Sequence, residues 1–254
     1  HPFYRTPAQS VFAFMGVESQ HSESTLLDIP FSFSLGELNG AATAVAAYVG
    51  GEWIRRSRGQ VTAVRQSLRR GLDAMGAETA PYSPPGLNGP DNEFLSVRGQ
   101  FQFVRELQWK DSELHIKGGF QLAQDPLLPV EKMPIGGVHT VRGYRENLFV
   151  RDNGFHASME WRVPVFTDSR DEGRFQPRNL TAALFSDFGQ SWDQDTGLPS
   201  DDKERIYSAG AGLIWRPLAG LDATVYYGEG LKDLPFEGDN LQDRGWHFRV
   251  GYQY

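Results

Sequence analysis

From residue 94 onward, apolar and polar side chains alternate with a period of two. Leu95, Val97, Gly99, Phe101 and Phe103 fall on one face, and Ser96, Arg98, Gln100 and Gln102 on the other. Leu114, Ile116, Gly118, Phe120 and Leu122 alternate with Glu113, His115, Lys117 and Gln121. Phe155, Ala157, Met159, Trp161, Val163 and Val165 alternate with His156, Ser158, Glu160 and Arg162. The same rhythm returns at 180–189, 209–215, 221–227 and 246–254. Successive side chains of a strand point to opposite faces, so this period predicts strands and not helices. Earlier in the chain, residues 10–22, 41–54 and 59–71 are further strand candidates. In the third, Val61, Val64 and Leu68 would also suit a helix. Residues 73–93, rich in Gly, Pro, Asn and Asp, predict a surface loop. The pattern gives about ten strands, five on each side of a long interruption.

Two architectures fit this alternation. In a water-soluble β-sandwich the apolar face is a core; in a membrane barrel it meets lipid. Many of the strands run to about ten residues, beyond the usual five or six and near the nine to eleven that a bilayer requires. Trp161, Trp215, Tyr227, Trp246 and Tyr254 stand near strand ends, as interfacial girdles do. In the barrel reading Trp161, Leu213, Val225 and Phe248 face lipid, while Ser158, Gly212, Thr224 and Arg249 face water.

Composition narrows the classes further. The 254 residues are only 39% hydrophobic, yet 13% aromatic, with 28 glycines. No apolar run approaches the roughly 18 residues of a transmembrane helix. Cysteine is absent, which removes disulfides, thiolate metal sites and a Cys nucleophile. A net charge of −7 without a basic stripe argues against nucleic acid. The chain opens on His1-Pro2-Phe3-Tyr4 with neither a basic n-region nor an apolar h-region.

The interruption is the most informative stretch. MPIGGVHTVRGYRENLFVRDN, residues 133–153, is too long for a hairpin turn and too apolar for a disordered linker. Arg142 precedes Gly143, where the backbone can turn sharply. Such a loop needs a surface to pack on, and a buried guanidinium needs a carboxylate.

With its flanks (Gly136-Gly137, Arg145-Glu146, Arg151-Asp152-Asn153-Gly154 and Glu160-x-Arg162-x-Pro164), this loop resembles that of the TpsB transporters of two-partner secretion. These belong to the outer-membrane superfamily that includes BamA. A second family motif, FxDxG, stands at Phe185-Ser186-Asp187-Phe188-Gly189. The resemblance implies a transmembrane antiparallel β-barrel, of which residues 1–254 form the C-terminal ten of sixteen strands. POTRA domains and the first strands would lie outside this sequence. It implies a loop of about 124–153 folded into the lumen, with Arg142, Gly143 and Tyr144 anchored at Phe185, Asp187 and Gly189. Glu160, Arg162 and His156 would face the lumen as secondary residues. Phe248, Val250, Tyr252 and Tyr254 would form the C-terminal assembly signal, whose last residue in such barrels is more often Phe.

The function implied is a haemolysin-secretion-like pore of a Gram-negative outer membrane, exporting a partner protein without ATP. Its partners would be the secreted passenger, the bilayer with its lipopolysaccharide, and the barrel assembly machinery. No enzyme activity, cofactor, metal or nucleic acid is expected. A BamA-like insertase and a soluble β-sandwich binding module are the alternatives. POTRA repeats upstream would separate the first of these, and detergent dependence the second. His156, Glu160 and His247 lack metal-ligand spacing. Gly210-Ala211-Gly212 has Trp215 where a dinucleotide loop needs Gly. The Asn179-Leu180-Thr181 sequon has no meaning in a bacterial outer membrane.

Overall fold

The computed structural model describes residues 2–32, 34–77, 83, 85–166, 179–197, 203–218, 220–234 and 238–253. Its main element is one antiparallel sheet of eleven strands in which every neighbour in sequence is a neighbour in space. The strands are β1 (Pro2–Arg5), β2 (Gln9–Glu23), β3 (Ala41–Ser57), β4 (Gln60–Gly71), β5 (Leu95–Glu106) and β6 (Glu113–Ala123), followed after the long loop by β7 (Asn153–Phe166), β8 (Leu180–Trp192), β9 (Glu204–Leu218), β10 (Leu221–Gly230) and β11 (Trp246–Tyr252). Ten of these are the segments that the alternation predicts. The additional strand, β1, spans four residues, too short to display a period, and it enters the sheet by pairing with β2.

The ambiguous segment at 59–71 is a strand, because β4 finds ladder partners on both sides: Trp53↔Val64 toward β3 and Val64↔Phe101 toward β5. Among the described residues a sandwich is not formed: the other two sheets are ribbons of two short strands each, and β1 and β11 are the edges of the large one. Among the described residues no helix is long and apolar enough to cross a membrane, which says nothing about crossing by strands.

Most large apolar side chains of the sheet lie outside, and the inner face is mainly small or polar apart from Phe185, Ile206, Ile214 and Tyr226. Met15, Val49, Met159, Leu184, Leu213 and Phe248 are exposed on the outer face. A band that wide is not left to water by a monomeric soluble protein. Tilted aromatic pairs stand on this face: Tyr227 with Trp246 (5.1 Å between ring centres) and Trp109 with Trp161 (5.3 Å). The inner face carries Ala42, Ala44, Ala46, Ala123 and Ala183, all buried. They leave room for the loop that the sheet encloses.

Phe248, Val250 and Tyr252 sit exposed along one side of β11; Tyr254 lies outside the described residues. Ser158 does face inward, but the loop covers it, so it does not report water access. Thr224 and Arg249, paired across β10 and β11, are better probes. In membranes, Thr224→Cys and Arg249→Cys should react with a water-soluble maleimide, while Leu213→Cys and Val225→Cys should not. The opposite labelling pattern would mean a register slip of one residue, which inverts every face.

Candidate functional site

Residues 124–152 leave β6, enter the space inside the sheet and return to β7. Leu127 and Leu128 are fully buried as the loop departs, and Pro129–Glu131 form a short 3-10 turn. Met133–Ile135 then pairs with Phe149–Arg151 in a small antiparallel ribbon. Beyond the ribbon the tip satisfies its own backbone. Thr140 Oγ1 accepts from the Gly136 amide at 2.8 Å, and Glu146 Oε1 accepts from the Val138 amide at 2.7 Å. A polar tip can therefore leave water without stranding its amides. Ile135, Val141 and Tyr144 pack on Ile206 of β9, with Met133, Leu148 and Phe149 around them.

Arg142 projects from this tip to the inner wall, where it is 2% exposed. Asp187 of β8 receives three hydrogen bonds from it: the backbone amide (3.0 Å) and Nε (2.8 Å) to Oδ2, and Nη2 (2.8 Å) to Oδ1. Nη1 donates to Glu160 Oε2 on β7, and Nη2 also reaches Ser158 Oγ at 2.9 Å. Phe185 lies under the guanidinium with 3.6 Å between Cζ and ring centre, and Tyr226 flanks it at 4.8 Å. The two rings meet edge to face. Burial pulls the Arg142 pKa down, but the hydrogen bonds and charges of Asp187 and then Glu160 outweigh it, so the net shift is upward. The cation is locked in its charged form. Removing one partner of a buried pair of this kind typically costs about 3–5 kcal/mol.

Strand register builds the socket. Ser158, Asp187, Ser208 and Gly230 form one row across β7–β10; Glu160, Phe185, Gly210 and Gly228 form the next. Two glycines give the loop its approach. Gly143 has φ +90°, and its backbone lies on that of Gly228. A Cβ at Gly228 would stand 2.7 Å from the Gly143 nitrogen. The Gly143 amide donates to His247 Nε2 at 3.2 Å. Tyr144 Oη lies 3.2 Å from the carbonyls of Tyr207 and Lys232 and accepts from the Lys232 amide at 3.1 Å. Arg145 forms a two-pronged pair with Asp243 in the loop between β10 and β11 (2.8 and 3.0 Å). A cavity of about 1240 Å³ runs beside the tip, bordered by Val138, Glu146, Arg162, Thr224 and His247.

The sequence-predicted residues thus converge, with one exception. Arg142, Gly143, Tyr144, Phe185, Asp187 and Glu160 are in or against the socket, and Arg162 holds Glu160 through Nε at 2.6 Å. Gly189 is the seat for Ile135 and Val141; a Cβ there would meet them at 2.7 and 2.8 Å. His156 faces inward over Gly119 but stands outside the cluster. Sequence reasoning missed Tyr226, whose hydroxyl donates to Glu160 Oε1 at 3.1 Å. A single inward tyrosine among alternating residues carries no local signal. No group of metal-binding side chains occurs among the described residues.

The family model for the haemolysin secretion/activation proteins ShlB/FhaC/HecB matches residues 3–214. No curated protein sequence matches. Among solved structures the fold is similar to CdiB from Escherichia coli (TM-score 0.79, 19% identity, 99% of this chain and 43% of that one). It is also similar to CdiB from Acinetobacter baumannii (0.68, 17%, 100% and 40%). A third match is BamA from Haemophilus ducreyi lacking POTRA domains 1–3 (0.59, 15%, 98% and 52%). The chain spans less than half the length of either CdiB chain.

The glycine contact gives a test that leaves every charge in place. Gly228→Val should push the tip off the wall at a cost of about 1–3 kcal/mol. The loop should then be cut faster by protease than in the unsubstituted protein, while the sheet remains folded. Unchanged cleavage would show that the close approach does not hold the tip.

Proposed function

The chain belongs to the haemolysin secretion/activation family ShlB/FhaC/HecB, and from that premise we propose that it forms the wall and lumenal loop of a pore that passes a partner protein to the cell surface. As a member of that family it is an outer-membrane β-barrel protein. In this reading residues 1–254 are the C-terminal part of the barrel domain, and the polypeptide beyond them supplies the neighbours of β1 and β11. Transport is powered by folding of the passenger outside, without ATP. Phe248, Val250 and Tyr252, with Tyr254 beyond them, act as the assembly signal. The protein carries out no catalysis.

One observation carries this reading: a charged side chain from a loop tip is buried at the inner wall between two carboxylates from different strands. A purely structural loop would be fixed as well, and at lower desolvation cost, by apolar packing. Charge pairing instead holds one geometry and can be exchanged for water when the tip moves. We therefore read residues 124–153 as a plug whose docked state blocks the pore, with Arg142, Gly143 and Tyr144 as its anchor and Phe185, Asp187 and Gly189 as the receiving wall. The cavity beside the tip supports this, since it gives a displaced loop somewhere to go. An insertase shares the fold but not the family assignment, and is the weaker reading.

Exchanging charges tests the anchor. Arg142→Glu should reduce secretion of the passenger to background while the barrel still inserts and migrates in heat-modifiable form. Adding Asp187→Arg should restore only part of it, because Glu160 would still repel the new carboxylate; adding Glu160→Gln as well should restore more. Normal secretion by Arg142→Ala, with unchanged accessibility of the tip, would remove the anchor from the mechanism.

A further inference from the structure

The Arg142 socket is not the only buried charge cluster that joins the loop to the wall. Glu131, 1% exposed, sits between Arg69 of β4 (Nη2 to Oε1, 2.9 Å) and Arg98 of β5 (Nη2 to Oε2, 2.7 Å). Arg69 continues to Glu18 of β2 at 3.0 Å, and Arg98 Nε donates to Gln121 of β6 at 2.6 Å. Two guanidinium groups thus face two carboxylates. The cluster lies on β2–β6, whereas the Arg142 socket lies on β7–β10.

The geometry points to a loop that works as a hinged flap with a fixed root. Both chains of the root are locked. Gln121 Nε2 donates to the carbonyls of Glu131 (2.9 Å) and Asp152 (3.0 Å), tying the outgoing and returning strands to one side chain of β6. Asp152 accepts from the amides of Leu127 (2.9 Å) and Gln194 (2.8 Å) and pairs with Lys132 at 3.2 Å. Asn153 Oδ1 accepts from the Ala123 amide at 2.8 Å. Leu127 is sealed among Ala46, Phe94 and Ala123. Between these locked ends the ribbon pairs with itself and the tip satisfies several of its own amides, while the ties of residues 133–151 to the rest of the protein gather mainly at Arg142, Gly143, Tyr144 and Arg145. We propose that residues 124–132 and 152–153 are a permanent part of the wall, positioned by Glu131, Arg69 and Arg98, and that release of Arg142 swings only residues 133–151 about that root. This rests on reading the loop as a plug, and limits how far the plug can travel: the tip leaves the socket, but the loop is not drawn out of the lumen.

The test uses the full-length protein in membranes, with single cysteines introduced at two buried positions, Val141 in the tip and Leu128 in the root; the chain has no cysteine of its own. Labelling tracks the population of the open state. With Arg142→Ala, the rate at position 141 should rise about tenfold or more, because a buried ion pair is lost. The rate at 128 should stay within about twofold of its starting value. With Glu131→Gln, position 128 should become reactive. Equal increases at both positions on Arg142→Ala would mean that the loop moves as one body, and would overturn the proposal, as would an unreactive 128 in Glu131→Gln. Should that variant not assemble, hydrogen exchange on the unsubstituted protein decides: residues 125–132 should exchange more slowly than 136–148, and equal rates refute the fixed root. Normal secretion by Arg142→Ala, with the two cysteines still behaving differently, would overturn the plug reading and leave the hinge standing.

Discussion

A guanidinium cannot shed its charge, so Arg142 can occupy a site that is 2% exposed only where the wall supplies negative charge in matching geometry. That one requirement organises much of the structure. Asp187 and Glu160 must be inward residues of adjacent strands, two register steps apart, which fixes the β7–β8 pairing. The burial of Asp187 would be untenable without the arginine. Arg162 and the Tyr226 hydroxyl occupy Glu160 Oε1, so that Oε2 is directed at the loop. Loop and wall are each incomplete alone.

The shape of the inner face follows from the same need. A loop can bring its backbone against a sheet only where the sheet has no side chains to spare. Gly210, Gly228 and Gly230 provide this beneath the tip, and Ala46 and Ala123 beneath the root. The volume displaced from inside reappears outside as exposed Met, Leu, Phe and Val. This is the inverse of a soluble sheet protein and is stable only against lipid.

Much of this was legible in the sequence. Period-two alternation located ten strands and their faces, and the VRGY and FxDxG segments gave both halves of the Arg142–Asp187 contact. What stayed hidden was long-range and lacked a local pattern. Glu131 meets partners 62 and 33 residues earlier in the chain, and alternation, which gives Arg69 and Arg98 their face, does not tie either of them to Glu131. The one available hint was Glu131 itself, a lone carboxylate close behind Leu127, Leu128 and Val130. An acidic residue beside a segment that must be buried needs a cation, but the sequence cannot say which. Likewise Ser158 was correctly assigned an inward face, yet its burial depends on a loop folding over it.

The two clusters also differ in what opening would expose. If Arg142 withdraws, Glu160 keeps Arg162 and Tyr226, whereas among the described residues every hydrogen bond on Asp187 comes from Arg142. The cost of undocking therefore concentrates on a single carboxylate, which needs water at once. The cavity bordering the tip is large enough to deliver it, so the penalty at this end is bounded. At the root, Glu131 is 1% exposed between Arg69 and Arg98, and the cavity does not border it. Separation there would strand chiefly Glu131, since Arg69 keeps Glu18 and Arg98 keeps Gln121. What separates the two clusters is therefore the cross-bracing at the root, where Gln121 holds the outgoing and returning chains together and Asp152 binds the Leu127 amide, a tie that the tip lacks.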